Sequence, residues 1–145
     1  MEVFIEDYIQ KPRKLVWEAI VQAHQLSGFF TSSASGDLES GKSILWEWAD
    51  VNAKHQVWVD EVLGDKIRLR WSPQGNEREV EIGLKAMENE SCEITIKEFP
   101  FNFTEEDVQQ MLGQTRGWTD FLCSLKAYLY CGIKLRNPGT FKTIQ

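Results

Sequence analysis

The chain has 145 residues, 42% of them hydrophobic and 26% charged, and a formal net charge of -6. This length fits one ordinary domain, and the composition is that of a globular protein rather than a membrane-embedded or disordered one. The negative charge argues against nucleic acid as a main partner, since phosphate binding depends on basic surface. No stretch approaches the roughly 18 apolar residues that cross a bilayer, so we expect a cytoplasmic protein without membrane insertion.

The first part of the sequence predicts one strand followed by two helices. Alternating apolar residues indicate a strand over 2–9. Pro12 suits the first turn of a helix, which we expect to run to about Gln22. A second, broken helix is expected over 24–30, and the Ser/Gly-rich run 31–36 ends it.

Residues 37–100 predict about six antiparallel strands, because apolar and polar side chains alternate between turn signals such as Gly64-Asp65. The sets that share one face of a strand are Ile44, Trp46 and Trp48; Val57, Val59 and Leu63, which alternate with Trp58, Asp60 and Val62; Ile67, Leu69 and Trp71; Val80, Ile82, Leu84 and Ala86; and Cys92, Ile94 and Ile96. Together with the opening strand they predict a sheet of about six to seven strands.

The last part of the sequence predicts a long helix. Thr104 with an acid three residues later resembles a capping box, and Gly132 can form the C-terminal cap. At about 1.5 Å per residue the helix is roughly 40 Å long and spans a small domain. Gly113 and Gly117 inside it predict a bend or a close backbone approach. The predicted apolar stripe is Val108, Met111 or Leu112, Thr115, Trp118, Leu122, Leu125 and Leu129.

The aromatic stretch before this helix allows two interpretations. Phe103 can pack against Val108 as a hydrophobic staple, which we favour, or the stretch 99–103 can form an apolar lip at the mouth of a pocket.

The segregation of strands from helices indicates an α+β fold with the helices packed on one side of the sheet. We expect a single domain over 1–145, in which 135–145 form a C-terminal tail.

Several local patterns accompany this order of elements. They are Val16-Trp17-Glu18-Ala19-Ile20, Leu26, Phe29-Phe30, Gly36-Asp37-Leu38, Gly41, the strand from Ile44 to Trp48, Gly117-Trp118, Leu122, Leu125 and Tyr128-Leu129. In these features nearly the whole chain resembles the START-like, or helix-grip (SRPBCC), superfamily. Within it the chain is similar to the family related to the activator of the heat-shock protein ninety ATPase. It departs from the family pattern at Phe29, where a tryptophan is common, and in its tail.

The resemblance implies a curved antiparallel sheet wrapped around the long C-terminal helix. It also implies a cavity between sheet and helix, which in relatives binds lipids, sterols, polyketides or other apolar molecules, or else a surface that binds a chaperone.

We expect the ligand-binding residues on the inner face of the sheet and on the facing side of the long helix. An indole inside a protein usually needs a partner for its N–H, so several tryptophans on strands favour a partly polar interior. Plain core packing is the alternative, and it is favoured for Trp17 and Trp118. The candidate ligand-binding residues are Trp46, Trp48, Trp58, Asp60, Leu69, Trp71, Ile82, Ile94, Met111, Trp118 and Leu122.

Asp60 is the charged member of this set. It has the same strand parity as Trp58 and would be buried if that face were inward, with Arg68 or Arg70 as its partner. A salt bridge on the surface is the favoured alternative.

Histidines and cysteines indicate neither nucleophilic catalysis nor a metal site. His24 and His55 have no accompanying nucleophile pattern, and we expect surface or capping roles for both. Cys92, Cys123 and Cys131 lack metal-ligand spacing and predict free, mostly buried thiols. Phosphate-binding glycine loops are absent from the sequence, so no cofactor is expected.

Three functions remain open. The first is non-enzymatic binding of a small apolar or amphipathic molecule between sheet and helix. The second is a chaperone-associated regulatory domain, in which the acidic segment 77–107 and the more basic residues after it would matter. The third is an enzyme of the cyclase or aromatase type using Asp60 or Arg70. The protein is expected to be a monomer or a homodimer.

Overall fold

The computed structural model describes residues 1–136, and this part of the chain contains seven strands and three helices. The elements are β1 (Val3–Ile9), α1 (Arg13–Val21), α2 (Ala23–Leu26), β2 (Ser33–Ala34), β3 (Ser43–Trp48), β4 (Ala53–Val62), β5 (Lys66–Trp71), β6 (Arg78–Met87), β7 (Ser91–Phe99) and α3 (Glu105–Cys131). The predicted α+β class and helix-grip architecture are confirmed. None of the helices in residues 1–136 is both long and apolar enough to span a membrane. Most of the predicted tail falls outside the described residues.

The seven strands form one curved, open antiparallel sheet in the order β1-β7-β6-β5-β4-β3-β2. Strands β2 to β7 follow one another as neighbours, and β1 pairs with β7. Gly64 and Gly75 lie in the turns after β4 and β5 with φ of 81° and 91°, a conformation that glycine adopts without steric cost. The apolar face of this sheet turns inward and carries α3.

Helix α3 begins and ends as the sequence predicts. The hydroxyl of Thr104 accepts a hydrogen bond from the backbone N–H of Asp107 at 3.1 Å. Gly132 has a φ of 67°, and its N–H and that of Ile133 donate to carbonyls in the last turn. The bond from the Gly132 N–H to the Tyr128 carbonyl, together with the left-handed backbone of Gly132, forms an αL cap.

Gly132→Ala is therefore expected to lower the free energy of unfolding by about 1 kcal/mol. An added Cβ would meet no heavy atom within 4 Å, so the cost comes from the backbone conformation alone. Urea denaturation followed by tryptophan fluorescence measures it. Gly132→Asn should lose less, since asparagine tolerates this conformation better than alanine, and equal losses would contradict the explanation.

The C-terminal half of α3 packs most deeply against the sheet. Its fully buried apolar residues are Trp118, Phe121, Leu122 and Leu125. In the first half of the predicted stripe, Met111 and not Leu112 packs against the core, and Val108 and Met111 are only half-buried. The burial of Phe121 was not predicted. The N-terminal half of the helix thus lies farther from the core than a continuous stripe would place it.

Three further predictions about burial are wrong. Phe103 is 86% exposed and forms neither a staple nor part of a pocket wall, whereas Phe101 is buried against Arg78. The thiols are free, but Cys123 and Cys131 are exposed. On β6, Ala86 was expected on the inner face but is exposed, since it lies near the end of the strand.

Candidate functional site

A pocket of about 210 Å3 lies between the inner face of the sheet and α3. The sheet contributes residues from β3, β4 and β5, and the helix contributes one turn around Gly117. Loops on either side and the segment after α3 complete the wall. The lining residues are Phe30, Trp48, Val51, Ala53, His55, Trp71, Pro73, Gln114, Gly117, Trp118 and Arg136.

The pocket wall is mainly aromatic. Trp48 and Trp71 have ring centroids 6.3 Å apart, and Trp71 and Trp118 are 5.8 Å apart. His55 lies 5.8 Å from Trp71 at an interplanar angle of 81°, and Phe30 lies 5.2 Å from Trp48 at 80°. Strand alternation brings Trp48, His55 and Trp71 to the same face of three neighbouring strands. The rings therefore line the pocket from several directions.

A buried carboxylate lies behind this wall. Oε1 of Glu98 accepts hydrogen bonds from Gln114 Nε2 at 2.8 Å and Trp118 Nε1 at 3.0 Å, and Oε2 accepts from Trp71 Nε1 at 2.7 Å. Burial raises the pKa of Glu98, while these three donors and the charge of Arg78 act in the opposite direction. Glu98 thus connects β7 to both indoles and to the glutamine of the pocket wall.

Arg78 is a second buried charge, close to the start of α3. Its Nη1 donates to the Pro100 carbonyl and its Nη2 to Gln110 Oε1, both at 2.6 Å. Its guanidinium lies 3.6 Å from the Asp107 carboxylate and 4.1 Å from the Phe101 ring centre. Arg78 therefore joins β6 to the segment that enters the helix.

The burial of Arg78 and Glu98 was not predicted, although the sequence contains a signal for it. Arg78 has the parity of the inward residues Val80, Ile82 and Leu84, and Glu98 has the parity of Cys92, Ile94 and Ile96. Each apolar series thus continues into a charged residue on the same face. A charge at the end of an inward series indicates a buried polar contact, because an unpaired charge there would be very costly.

Arg136 closes the rim of the pocket. Its guanidinium contacts Asp50 at 3.0 Å and Asp120 at 2.8 Å, so the segment after α3 is tied both to the β3–β4 turn and to the helix. Lys134 donates to the Ser27 carbonyl at 2.8 Å and holds the same segment on the other side. The positive charge of Arg136 is thus paired with the carboxylates of Asp50 and Asp120.

His55 was expected at the surface but lies in the pocket wall, half-buried. Burial lowers the pKa of His55 from its usual value, so the imidazole is mainly neutral at pH 7. It has the same parity as Val57 and Val59, which occupy the inner face of β4.

Of the predicted ligand-binding residues, Trp48, Trp71 and Trp118 line the pocket. Trp46 is fully buried beside them, and its indole N–H has no hydrogen-bond partner among the described residues. The remaining apolar candidates belong to the packed core or lie against it and do not line the pocket. They are Leu69, Ile82, Ile94, Met111 and Leu122.

The inward placement of Trp58 and Asp60 is wrong. Val57 and Val59 occupy the inner face of β4, so the alternate residues point to solvent, and Trp58 is 41% exposed. Asp60 forms an exposed salt bridge with Arg70 at 3.0 Å, which was the favoured alternative. Neither residue lies near the pocket wall.

Gly117 creates space rather than a close contact. A Cβ added there would meet no heavy atom within 4 Å, and at Gly113 it would reach only the Gln74 side chain at 3.6 Å. Of the two predicted alternatives the close backbone approach is therefore wrong, and the bend stays a prediction. The missing side chain of Gly117 leaves part of the pocket open.

Comparison with known proteins agrees with this architecture. No curated protein matches the chain. The SSP2350 protein of Staphylococcus saprophyticus is similar in structure, with a TM-score of 0.80 and 29% identity over 94% of this chain and 96% of that one. DynU16, from the dynemicin biosynthetic locus, has a TM-score of 0.82 and 25% identity over 94% of this chain but only 50% of its own. The Aha1 dimer from Colwellia psychrerythraea shares the fold, with a TM-score of 0.76 and 18% identity over 91% and 98% of the two chains.

A family model described as activator of Hsp90 ATPase homolog 1-like protein matches residues 10–130, which include β3 to β7 and nearly all of α3. The match therefore covers most of the elements that form the pocket. The chain belongs to the family of activator of Hsp90 ATPase homolog 1-like proteins.

Proposed function

We propose that the protein binds a small hydrophobic or amphipathic molecule in the pocket between the sheet and α3. The observation that carries the proposal is the open space of about 210 Å3 enclosed by Phe30, Trp48, Trp71 and Trp118. Ligand sites are typically concave, mostly apolar and supplied with a few polar groups, and His55 and Gln114 fit that description.

The size of the pocket limits the ligand. Typical small-molecule pockets measure roughly 300–1,000 Å3, so this one accepts a compact molecule or one end of a longer one. A dry apolar cavity of about 150 Å3 is large enough for benzene. A molecule with one ring or a short branched chain therefore fits the space.

The proposed role is binding without catalysis. The lining residues within the described part of the chain include no Ser, Thr, Cys or Lys that a base could activate. The buried carboxylate behind the wall, Glu98, already accepts three hydrogen bonds from protein donors. These features favour a receptor or carrier over an enzyme.

Filling the pocket should weaken ligand binding without harming the fold. We expect Gly117→Leu to weaken binding of toluene, used as a probe, by about tenfold or more, because leucine would occupy the space that glycine leaves open. The exchange also replaces a helix-interior glycine and should stabilise α3 by up to about 1 kcal/mol. Titration followed by tryptophan fluorescence and by calorimetry measures the affinity.

Gly113→Leu is the matched control, since it makes the same exchange one turn earlier, outside this pocket. It should leave toluene binding unchanged. Organic extraction of the purified protein followed by mass spectrometry tests for a natural ligand. Absence of any extracted ligand, together with no toluene binding to the wild type, would refute the proposal.

A further inference from the structure

We propose that the pocket recognises a hydroxyl group on a compact apolar ligand, and that the side-chain amide of Gln114 is the group that recognises it. This inference rests on the proposed function and adds one polar feature of the ligand to it. Three observations support it: the way the Gln114 amide is held, the hydrogen-bonding groups left open in the pocket wall, and the balance of charge at the rim.

The first observation is the anchoring of the Gln114 amide. Its Nε2 donates to Glu98 Oε1 at 2.8 Å, and the same oxygen accepts the indole N–H of Trp118 at 3.0 Å. A carboxylate oxygen accepts hydrogen bonds, so the amide nitrogen faces Glu98. The carbonyl oxygen lies on the other branch of the amide and therefore points away from the carboxylate. A contact behind the wall thus fixes which atoms of Gln114 remain for a ligand.

The second observation is that hydrogen-bonding groups in the wall are left open. Gln114 and His55 both line the pocket and are only half-buried. Within residues 1–136 no hydrogen bond engages the carbonyl oxygen of Gln114 or a ring nitrogen of His55. The imidazole is mainly neutral, so His55 offers one N–H donor and one acceptor. A hydroxyl group can therefore donate to the Gln114 oxygen and accept from an N–H of the wall.

The third observation is that the charges at the rim cancel. The groove next to the pocket contains two acids and two bases, which are Asp50, Asp120, Arg116 and Arg136. Arg136, which also belongs to the pocket wall, is paired with both carboxylates. The rim therefore favours neither a cation nor an anion. Hydrogen bonding is the polar contribution that remains to distinguish one ligand from another.

Hydrogen bonding inside a small space separates ligands of equal shape. Burying a hydroxyl group without a partner is costly, so a wholly apolar pocket prefers a methyl group to a hydroxyl group of similar size. A pocket that supplies an acceptor and a donor replaces the hydrogen bonds that the hydroxyl group loses from water. The relative affinity for two such ligands therefore reports whether a polar group faces the open space.

Phenol and toluene provide the test, because a hydroxyl group in one takes the place of a methyl group in the other. We expect phenol to bind the wild type at least as tightly as toluene. Gln114→Met keeps the length of the side chain but removes its amide, and Glu98 keeps both indole donors. It should weaken phenol binding about tenfold or more and change toluene binding by less than about threefold. Isothermal titration calorimetry measures the affinities.

Gln56→Met is the matched control. It makes the same exchange on the outer face of β4, where Gln56 is exposed, and should alter neither affinity. If Gln114→Met fails to fold, the wild-type comparison of phenol with toluene still decides whether a hydroxyl group is recognised.

The outcomes distinguish this inference from the proposed function. Weaker binding of phenol than of toluene to the wild type would overturn hydroxyl recognition and leave the pocket's binding role intact. Phenol binding that survives Gln114→Met unchanged would overturn the role of Gln114. Failure of both probes to bind the wild type would overturn the inference and the proposed function together. Loss of phenol affinity in Gln114→Met but not in Gln56→Met, with toluene binding retained, would support the inference.

Discussion

Replacing Arg78 by alanine is expected to lower the free energy of unfolding by about 3–5 kcal/mol. Arg78 is 4% exposed and its partner Asp107 is 6% exposed, so the exchange leaves a buried carboxylate without its counter-charge. The Pro100 carbonyl and the Gln110 side chain lose a donor at the same time. These contacts join β6 to the entry of α3, and their loss should also loosen the first turns of the helix.

Arg68→Ala is the control for this prediction. Arg68 lies within 3.5 to 3.7 Å of Glu61, Glu79 and Glu81, but its side chain is 39% exposed on the outer face of the sheet. Exposed ion pairs contribute about 0–1 kcal/mol each, and we expect a loss near 1 kcal/mol. Urea unfolding of both variants tests whether burial decides the effect. Similar losses from Arg78→Ala and Arg68→Ala would contradict it.

The element order was predictable because each element has a clear period and clear ends. Five strands alternate between turn signals, and α3 carries both a Thr104 cap and a Gly132 cap. The resemblance to a known family then fixed how these elements assemble. The fold was thus predictable from local patterns combined with that resemblance.

The direction of some side chains was less predictable. On β4 both faces carry large apolar residues, so alternation alone does not say whether Val57 and Val59 or Trp58 points inward. On the long helix, Leu112 and Phe121 are equally apolar, and their burial depends on how far each end of α3 lies from the sheet. In both cases the outcome depends on how the elements are placed relative to each other in the folded protein. Sequence periodicity carries no information about that placement.

The polar part of the site was missed for a different reason. Arg78 and Glu98 were not among the predicted inward residues, although each has the parity of the buried apolar residues on its strand. Arg136 contacts Asp50 and Asp120, residues 86 and 16 positions away, and no local pattern predicts such a meeting. The open volume at Gly117 also depends on the position of the whole helix.

Replacing Glu98 by leucine is expected to lower the free energy of unfolding by about 2–4 kcal/mol near pH 5. The exchange removes the acceptor of three N–H donors, of which the indoles of Trp71 and Trp118 are buried. A buried donor left without a partner costs about 1–3 kcal/mol. The variant also no longer has to bury a carboxylate, and the desolvation free energy saved in this way offsets part of that cost. Glu93→Leu, on the outer face of the same strand, should change stability by less than about 1 kcal/mol.

The loss in Glu98→Leu should shrink as the pH rises from 5 to 8. Burial raises the pKa of Glu98 in the folded protein, so between the ordinary glutamate pKa and the raised value the folded state binds more protons than the unfolded state. The contribution of Glu98 to the free energy of unfolding therefore falls as the pH rises through that window. The variant has no group that titrates at this position, so the difference in stability between wild type and variant becomes smaller. Urea unfolding of wild type and variant at several pH values measures the difference. A loss that grows with pH would mean that the three hydrogen bonds outweigh burial and hold the pKa of Glu98 below its ordinary value.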